Sequence, residues 1–209
     1  MKIALIILLV ILVYYYISNM HLVTISLPGR GEKYMVSNLY GDEVESAKLM
    51  SKINDNIIGV LRHMKNKYIG SNSYPSHLVQ ITENMLYNYN PEVIIENVPG
   101  GGDTSYTINK GKRMYICIRD FKGRRLDPHT ITFVVLHELS HIGHYYGWGH
   151  GQSYWEVFKF VLKEAEESGF HYPIDYSLQP IKYCGISITY NPYFDTGIKN
   201  IEQIQHLNI

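Results

Sequence analysis

The chain has 209 residues, enough for one ordinary domain, and 45% of them are hydrophobic, enough for a core. Nineteen basic and nineteen acidic residues cancel to a formal net charge of zero, which argues against a nucleic-acid partner, since such proteins carry a basic excess. Two cysteines, Cys117 and Cys184, exclude a cysteine-rich zinc module, and their spacing does not choose between a disulfide and two buried thiols.

After Met1-Lys2 the segment IALIILLVILVYYYI, residues 3–17, carries no charge. Its length falls between a signal-peptide core and a full membrane span. No small-x-small cleavage pattern follows it, and Tyr14, Tyr15 and Tyr16 suit a membrane interface. These features predict an uncleaved signal-anchor over residues 1–18 and a single-pass membrane protein. Lys2 on one side and Arg30 and Lys33 on the other leave its orientation in the membrane undetermined. Residues 19–42, with Pro28-Gly29 and Gly31, read as a stalk or linker, and residues 43–209 as the domain.

From Asp42, apolar residues recur at Val44, Leu49, Ile53, Ile57, Val60, Leu61 and Met64, along one face of a helix with acidic residues first and basic ones last. Residues 70–76 form a loop, and HLVQITENMLYNY a short helix or extended piece before Pro91. VIIENV, residues 93–98, reads as a strand. The glycines 100–102 mark a turn, because no Gly-Lys-Ser/Thr or helix start follows to make a phosphate loop. TSYTIN and RMYICIRD flank Lys110-Gly111 as a hairpin. After a polar turn, HTITFVV (129–135) enters a helix. QSYWEVFKFVLKEAEES forms another, with Trp155, Phe158, Leu162 and Ala165 on one face. The tail from Gly169 carries only short extended pieces.

The chemistry concentrates in VLHELSHIGHYYGWGH, residues 135–150. On a helix, His137 and His141 are one turn apart and can share a cation. Glu138, one position round, reaches a metal-bound water without being a ligand, which is why H-E-x-x-H supports peptidase chemistry. Zinc lowers the pKa of such a water toward neutrality, and the glutamate accepts its proton. A third ligand is needed. His144 would have to come from the same helix, yet Gly143, Gly147 and Gly149 argue that the helix stops there. His150, nine residues beyond His141 and at the start of the next helix, can fold back to complete a tetrahedron. The spacing therefore favours His150. His144, Tyr145 and Tyr146 are left as candidate supporting groups or donors to an oxyanion, and Trp155 as packing behind the third ligand. RMYICIRD either offers an edge to an extended peptide or serves as a core strand.

The block HELSHIGHYYGWGHGQSYWEVFKFVLKEA resembles the WLM and SprT-like metallopeptidases, which pair an H-E-x-x-H helix with a downstream His-Gly-x-x-Phe/Trp element, here His150-Gly151-Gln152-Ser153-Tyr154-Trp155. MYICIRD is similar to the strand that leads into the motif helix, and the likeness covers residues 105–165. The chain as a whole is also similar to predicted metallopeptidases of large DNA viruses. The resemblance implies an α+β fold: a minimal zincin-like domain with a small sheet, the motif helix and a following helix. It further implies one zinc ion on His137, His141 and His150, with Glu138 as catalytic base and a protein or peptide as substrate. Members that act in DNA repair carry nucleic-acid-binding additions, and no zinc ribbon or basic tail is found here. The expectation is thus a membrane-anchored zinc metallopeptidase. The alternatives are an inactive zinc-binding membrane or virion structural protein and a DNA-associated repair protease.

Overall fold

In a computed structural model of the chain, residues 2–19, 21–71, 73–98, 104–144 and 149–203 are described. The first helix, α1 (Lys2–Asn19), has 18 residues, and its described side chains, residues 4–13, are all exposed. Among the described residues no helix is long and apolar enough to cross a membrane. The single-pass anchor expected over residues 1–18 is therefore not supported, and neither is the membrane localisation or the membrane contact through residues 3–17.

The domain is α+β. Its mixed sheet has five strands, β1 (Leu22–Ser26), β2 (Lys33–Ser37), β3 (Ile94–Asn97), β4 (Tyr106–Ile108) and β5 (Arg113–Cys117), in the order β1-β2-β3-β5-β4. The central pairs β2/β3 and β3/β5 are parallel, while β1/β2 and β4/β5 are antiparallel. Residues 19–42, expected as a stalk, thus contribute two strands of the sheet. Met35 of β2 faces Ile95 of β3, and this long-range pairing makes the segment part of the domain.

Helix α2 (Glu43–Tyr68) starts with Glu43 and Glu45 and ends with Lys65 and Lys67, matching the helix dipole. It buries Met50, Ile53, Ile57, Val60, Leu61 and Met64, while Val44 stays 45% exposed. It lies on β1 and β2. Helix α3 (Ser76–Asn88) packs between α2 and α4 (Pro128–Gly143), and α5 (Gln152–Glu167) covers α4. Gly143 permits the close approach of α3, since a Cβ there would meet Met85 Cε at 2.2 Å.

Helix α4 is the buried axis of the domain. Ile131, Phe133, Val135, Leu136, Leu139 and Ile142 are all buried, as expected of a helix with neighbours on most sides. Its start is well defined: Pro128 stands in the first turn, and the Asp127 carboxylate accepts from Thr130 N at 2.9 Å. Thr132 and Ser140, polar but buried, donate to the carbonyls of Pro128 and Leu136 one turn back.

Two ties hold the periphery. Arg119, only 1% exposed, directs all five of its donors to acceptors. These are Glu96 Oε1 at 2.7 Å, both oxygens of Asp42, Ser46 Oγ and the Gly123 carbonyl. The other oxygen of Glu96 accepts from Ser37 N at 2.7 Å. Arg119 therefore links β2, β3, the start of α2 and the loop before α4, and its hydrogen bonds hold the Asp42 carboxyl below the usual carboxylate range. The second tie is a disulfide between Cys117 and Cys184. It joins the end of β5 to the turn between β6 (Ile181–Tyr183) and β7 (Ile186–Ile188).

Arg119→Ala leaves the buried Glu96 carboxylate without its cation, so stability should fall by about 3–5 kcal/mol. Arg119→Lys should recover only part of this, because one ammonium cannot serve the same fork of acceptors. Denaturant unfolding measures both, and a loss below ~1 kcal/mol for the alanine variant would contradict this role. Cys184→Ser opens a cross-link between residues 67 apart in sequence. It should cost about 2–4 kcal/mol in the same assay, with no loss expected under reducing conditions, where the native bridge is already open.

Candidate metal centre

The two motif histidines stand one helical turn apart on α4, where the helix meets α5. His150 enters just before α5, after Gly149 at φ +71°, a left-handed conformation natural to glycine. The three rings turn inward on one point. His150 Nε2 lies 3.1 Å from His137 Nε2 and 3.2 Å from His141 Nε2. Nitrogens bound at 2.0–2.1 Å around a tetrahedral cation stand about 3.3 Å apart, so the donor set fits a zinc-like ion with little adjustment. Burial, reinforced by the neighbouring imidazoles, lowers the pKa of His137 and His141 to about 3. Both rings are therefore neutral, the form that binds metal. Burial also lowers that of His150.

Aromatic side chains of α5 set the orientation of these rings. Tyr154, fully buried, stacks on His141 at 4.3 Å between centroids and meets His137 and His150 edge-on at 5.2 and 4.8 Å. Its hydroxyl donates to the His137 carbonyl at 3.1 Å. Trp155 stacks on His150 at 5.6 Å, the packing role expected of it. At the C-terminal end of α4, Lys110 in the β4–β5 turn donates to the carbonyls of His141 and His144, a favourable place for a cation at a helix C-terminus.

Glu138 is 4% exposed. Thr107 Oγ1, on β4, donates to Glu138 Oε2 at 2.8 Å. Burial pushes the carboxyl up to about 7, against the hydrogen bonds from Thr107, which lower it. Two cavities meet at this residue. A polar cleft of about 290 Å³ includes Thr107, Asn109, Lys110, His141 and His150. A recess of about 270 Å³ includes Phe133, Phe158 and Ile188. Both share Ser105, His137 and Glu138.

His144 does not join the other histidines. Its Nε2 pairs with Ser153 Oγ at 2.9 Å, which fastens the end of α4 to the first turn of α5. Tyr145 and Tyr146 lie outside the described residues. Of the two readings of RMYICIRD the core strand holds, because β5 is flanked by β3 and β4, and β4 is the strand at that edge of the sheet. Thr107 and Tyr154 were not among the expected site residues. Tyr154 carried a usable signal, standing four residues after His150 and four before Phe158 on the buried side of α5.

A second set of donor atoms lies between α2 and α5, on His63, Glu164 and Glu167. There the Lys67 ammonium holds Glu164 at 3.0 Å and Glu167 at 2.6 Å, and Tyr68 donates to Glu164 at 2.7 Å. The protein supplies its own positive charge at that cluster.

No protein-family model matches the chain, and no solved structure matches it. It is similar to an uncharacterized protein of Acanthamoeba polyphaga mimivirus, with 28% identity over 158 residues, 75% of this chain and 77% of that protein. It is also similar to an uncharacterized protein of Invertebrate iridescent virus 3, with 40% identity over 84 residues. That match covers 39% of this chain and 48% of the viral protein.

If the convergence of imidazoles is a cation site, the purified full chain should hold one zinc per molecule by elemental analysis. His137→Ala, His141→Ala and His150→Ala should each weaken binding beyond the ~10–100-fold typical of supporting residues. His144→Ala should retain the metal. Loss in His144→Ala with retention in His150→Ala would reverse the ligand assignment.

Proposed function

We propose that the chain is a zinc-dependent metallopeptidase. One observation carries this reading: three imidazole nitrogens converge beside a buried glutamate in an open cleft. His137, His141 and His150 would hold the ion, and zinc bound there supplies Lewis acidity to a water and a substrate carbonyl.

The remaining work falls to the chain's own groups. Glu138 accepts a proton from the attacking water and returns it to the leaving amine, the exchange expected of a general base that becomes a general acid. Thr107 keeps one of its oxygens engaged, which restricts the carboxylate to a single orientation. Tyr154, through its hydrogen bond to the His137 carbonyl, positions the histidine rings. Its hydroxyl stays protonated because burial and the Glu138 charge raise its pKa well above 10. The position of β4 at the sheet's edge, bordering the polar cleft, supports binding of an extended peptide there.

Glu138→Gln should reduce peptide hydrolysis by about 10²–10⁴-fold, the range of general acid–base catalysis, and leave zinc content unchanged. Mass spectrometry of digests of an unfolded protein, alongside metal analysis, measures both. A zinc-loaded wild-type chain that cuts nothing would favour an inactive zinc-binding protein instead.

A further inference from the structure

We infer that the recess beside Glu138 is a specificity pocket that takes one large apolar side chain, aliphatic or aromatic, from the substrate residue adjoining the bond to be cut. The inference rests on the peptidase reading and adds the substrate class to it.

Position comes first. The recess and the polar cleft share Ser105, His137 and Glu138, so a peptide crossing the centre passes from one into the other. A reacting carbonyl held at His137 and Glu138 puts the next side chain on the recess side within reach of it. Chemistry follows. Phe133 and Val134 of α4 and Phe158 of α5 form one wall, and Ile186, Ile188 and Tyr190 the other. Glu138 is the one charged residue among those that line it. Across the centre, by contrast, the cleft offers Thr107, Asn109 and Lys110. A carboxylate placed in the recess would lose its hydration and find no lysine or arginine among the lining residues.

The outer wall has apolar surface to cover. Ile186 is 49% exposed and Tyr190 38%, and a side chain seated against them removes that surface from water. The wall is also built in advance. Tyr183 donates to the Cys117 carbonyl at 2.8 Å and lies 2.7 Å from Ser105 Oγ, which itself accepts from Cys117 N at 3.0 Å. The phenolic proton is committed to the carbonyl, so Ser105 is the donor to Tyr183. Together with the Cys117–Cys184 disulfide, this network fixes the β6–β7 hairpin to β5 and to the start of β4. A pocket already formed does not have to be ordered on binding.

The zinc-loaded full chain would be incubated with proteome-derived peptides and its cut sites mapped by mass spectrometry. Leu, Ile, Met and Phe should be enriched at one position flanking the cut, with Asp and Glu depleted there. Replacing Leu by Gly at that position in a synthetic peptide should lower kcat/KM by about 10–100-fold. Ile186→Asp, on the exposed wall, should erase most of this difference and leave zinc content unchanged.

A second arm reads the recess without turnover. In a Glu138→Gln, Trp148→Phe chain, Trp155 is the single remaining tryptophan. Its emission should respond to the Leu peptide and not to the Gly peptide. Cutting with no apolar enrichment would overturn the pocket and spare the peptidase reading. A chain that cuts nothing would overturn the peptidase reading, and the fluorescence arm would then decide the pocket. Equal response to both peptides would reject it.

Discussion

The docking of α5 on α4 is the contact on which the candidate centre depends. H-E-x-x-H spacing alone brings two imidazoles together. The third arrives because Tyr154 inserts its ring among all three histidines and bonds the His137 carbonyl. His144 reinforces the same joint through Ser153. His150 Nε2 stands 3.1–3.2 Å from the other two nitrogens, a spacing held by the packing between the helices, and any ion held by the folded chain but not the unfolded one adds to stability.

The sheet side of the cleft is held by different forces. Arg119 is a buried cation whose every donor is used. Such a network contributes less through its net energy than through the cost of breaking it. It registers β3 and β5 against the start of α2, while the disulfide and Tyr183 fix the C-terminal hairpin. Between them lies β4, a three-residue strand that carries Thr107 to Glu138. Helix docking, a buried ion network and a covalent bridge thus position three separate walls around one carboxylate.

The parts legible in the sequence are those whose information is local. Helix α2 shows in the spacing of Ile53, Ile57, Val60 and Met64, and its charged ends mark its limits. His137, Glu138 and His141 show in five consecutive residues, and the glycines before His150 favour it over His144. What was missed depends on distant partners. LVTIS and KYMVS flank Pro28-Gly29 and look like a stalk until β2 meets β3, with Met35 opposite Ile95. The order of β4 and β5 at the sheet edge is likewise a matter of topology, and Thr107 is an ordinary strand residue until it faces Glu138. The anchor expectation failed differently. It read apolar composition at residues 3–17, whereas a span requires length and apolarity together in one helix, and no described helix has both.

The donor set bears on the kind of metal site it would make. Structural zinc is enclosed by four protein ligands, whereas catalytic zinc keeps three and an open position. Among the described residues the converging group contains three histidines and no fourth donor, and His150 is exposed at its rim. Glu138 is buried nearby but engaged with Thr107, so it stands beside the donors and outside the converging group, where the proposed function would use it as a proton acceptor. The open side faces the junction of a polar cleft and an apolar recess, where a peptide would meet different surfaces on either side of the reacting bond. A site meant only to staple the fold would gain nothing from this asymmetry. Nor does the fold lean on the site, because the core of α2, α4 and the sheet is closed by apolar packing and by Arg119, away from the histidines.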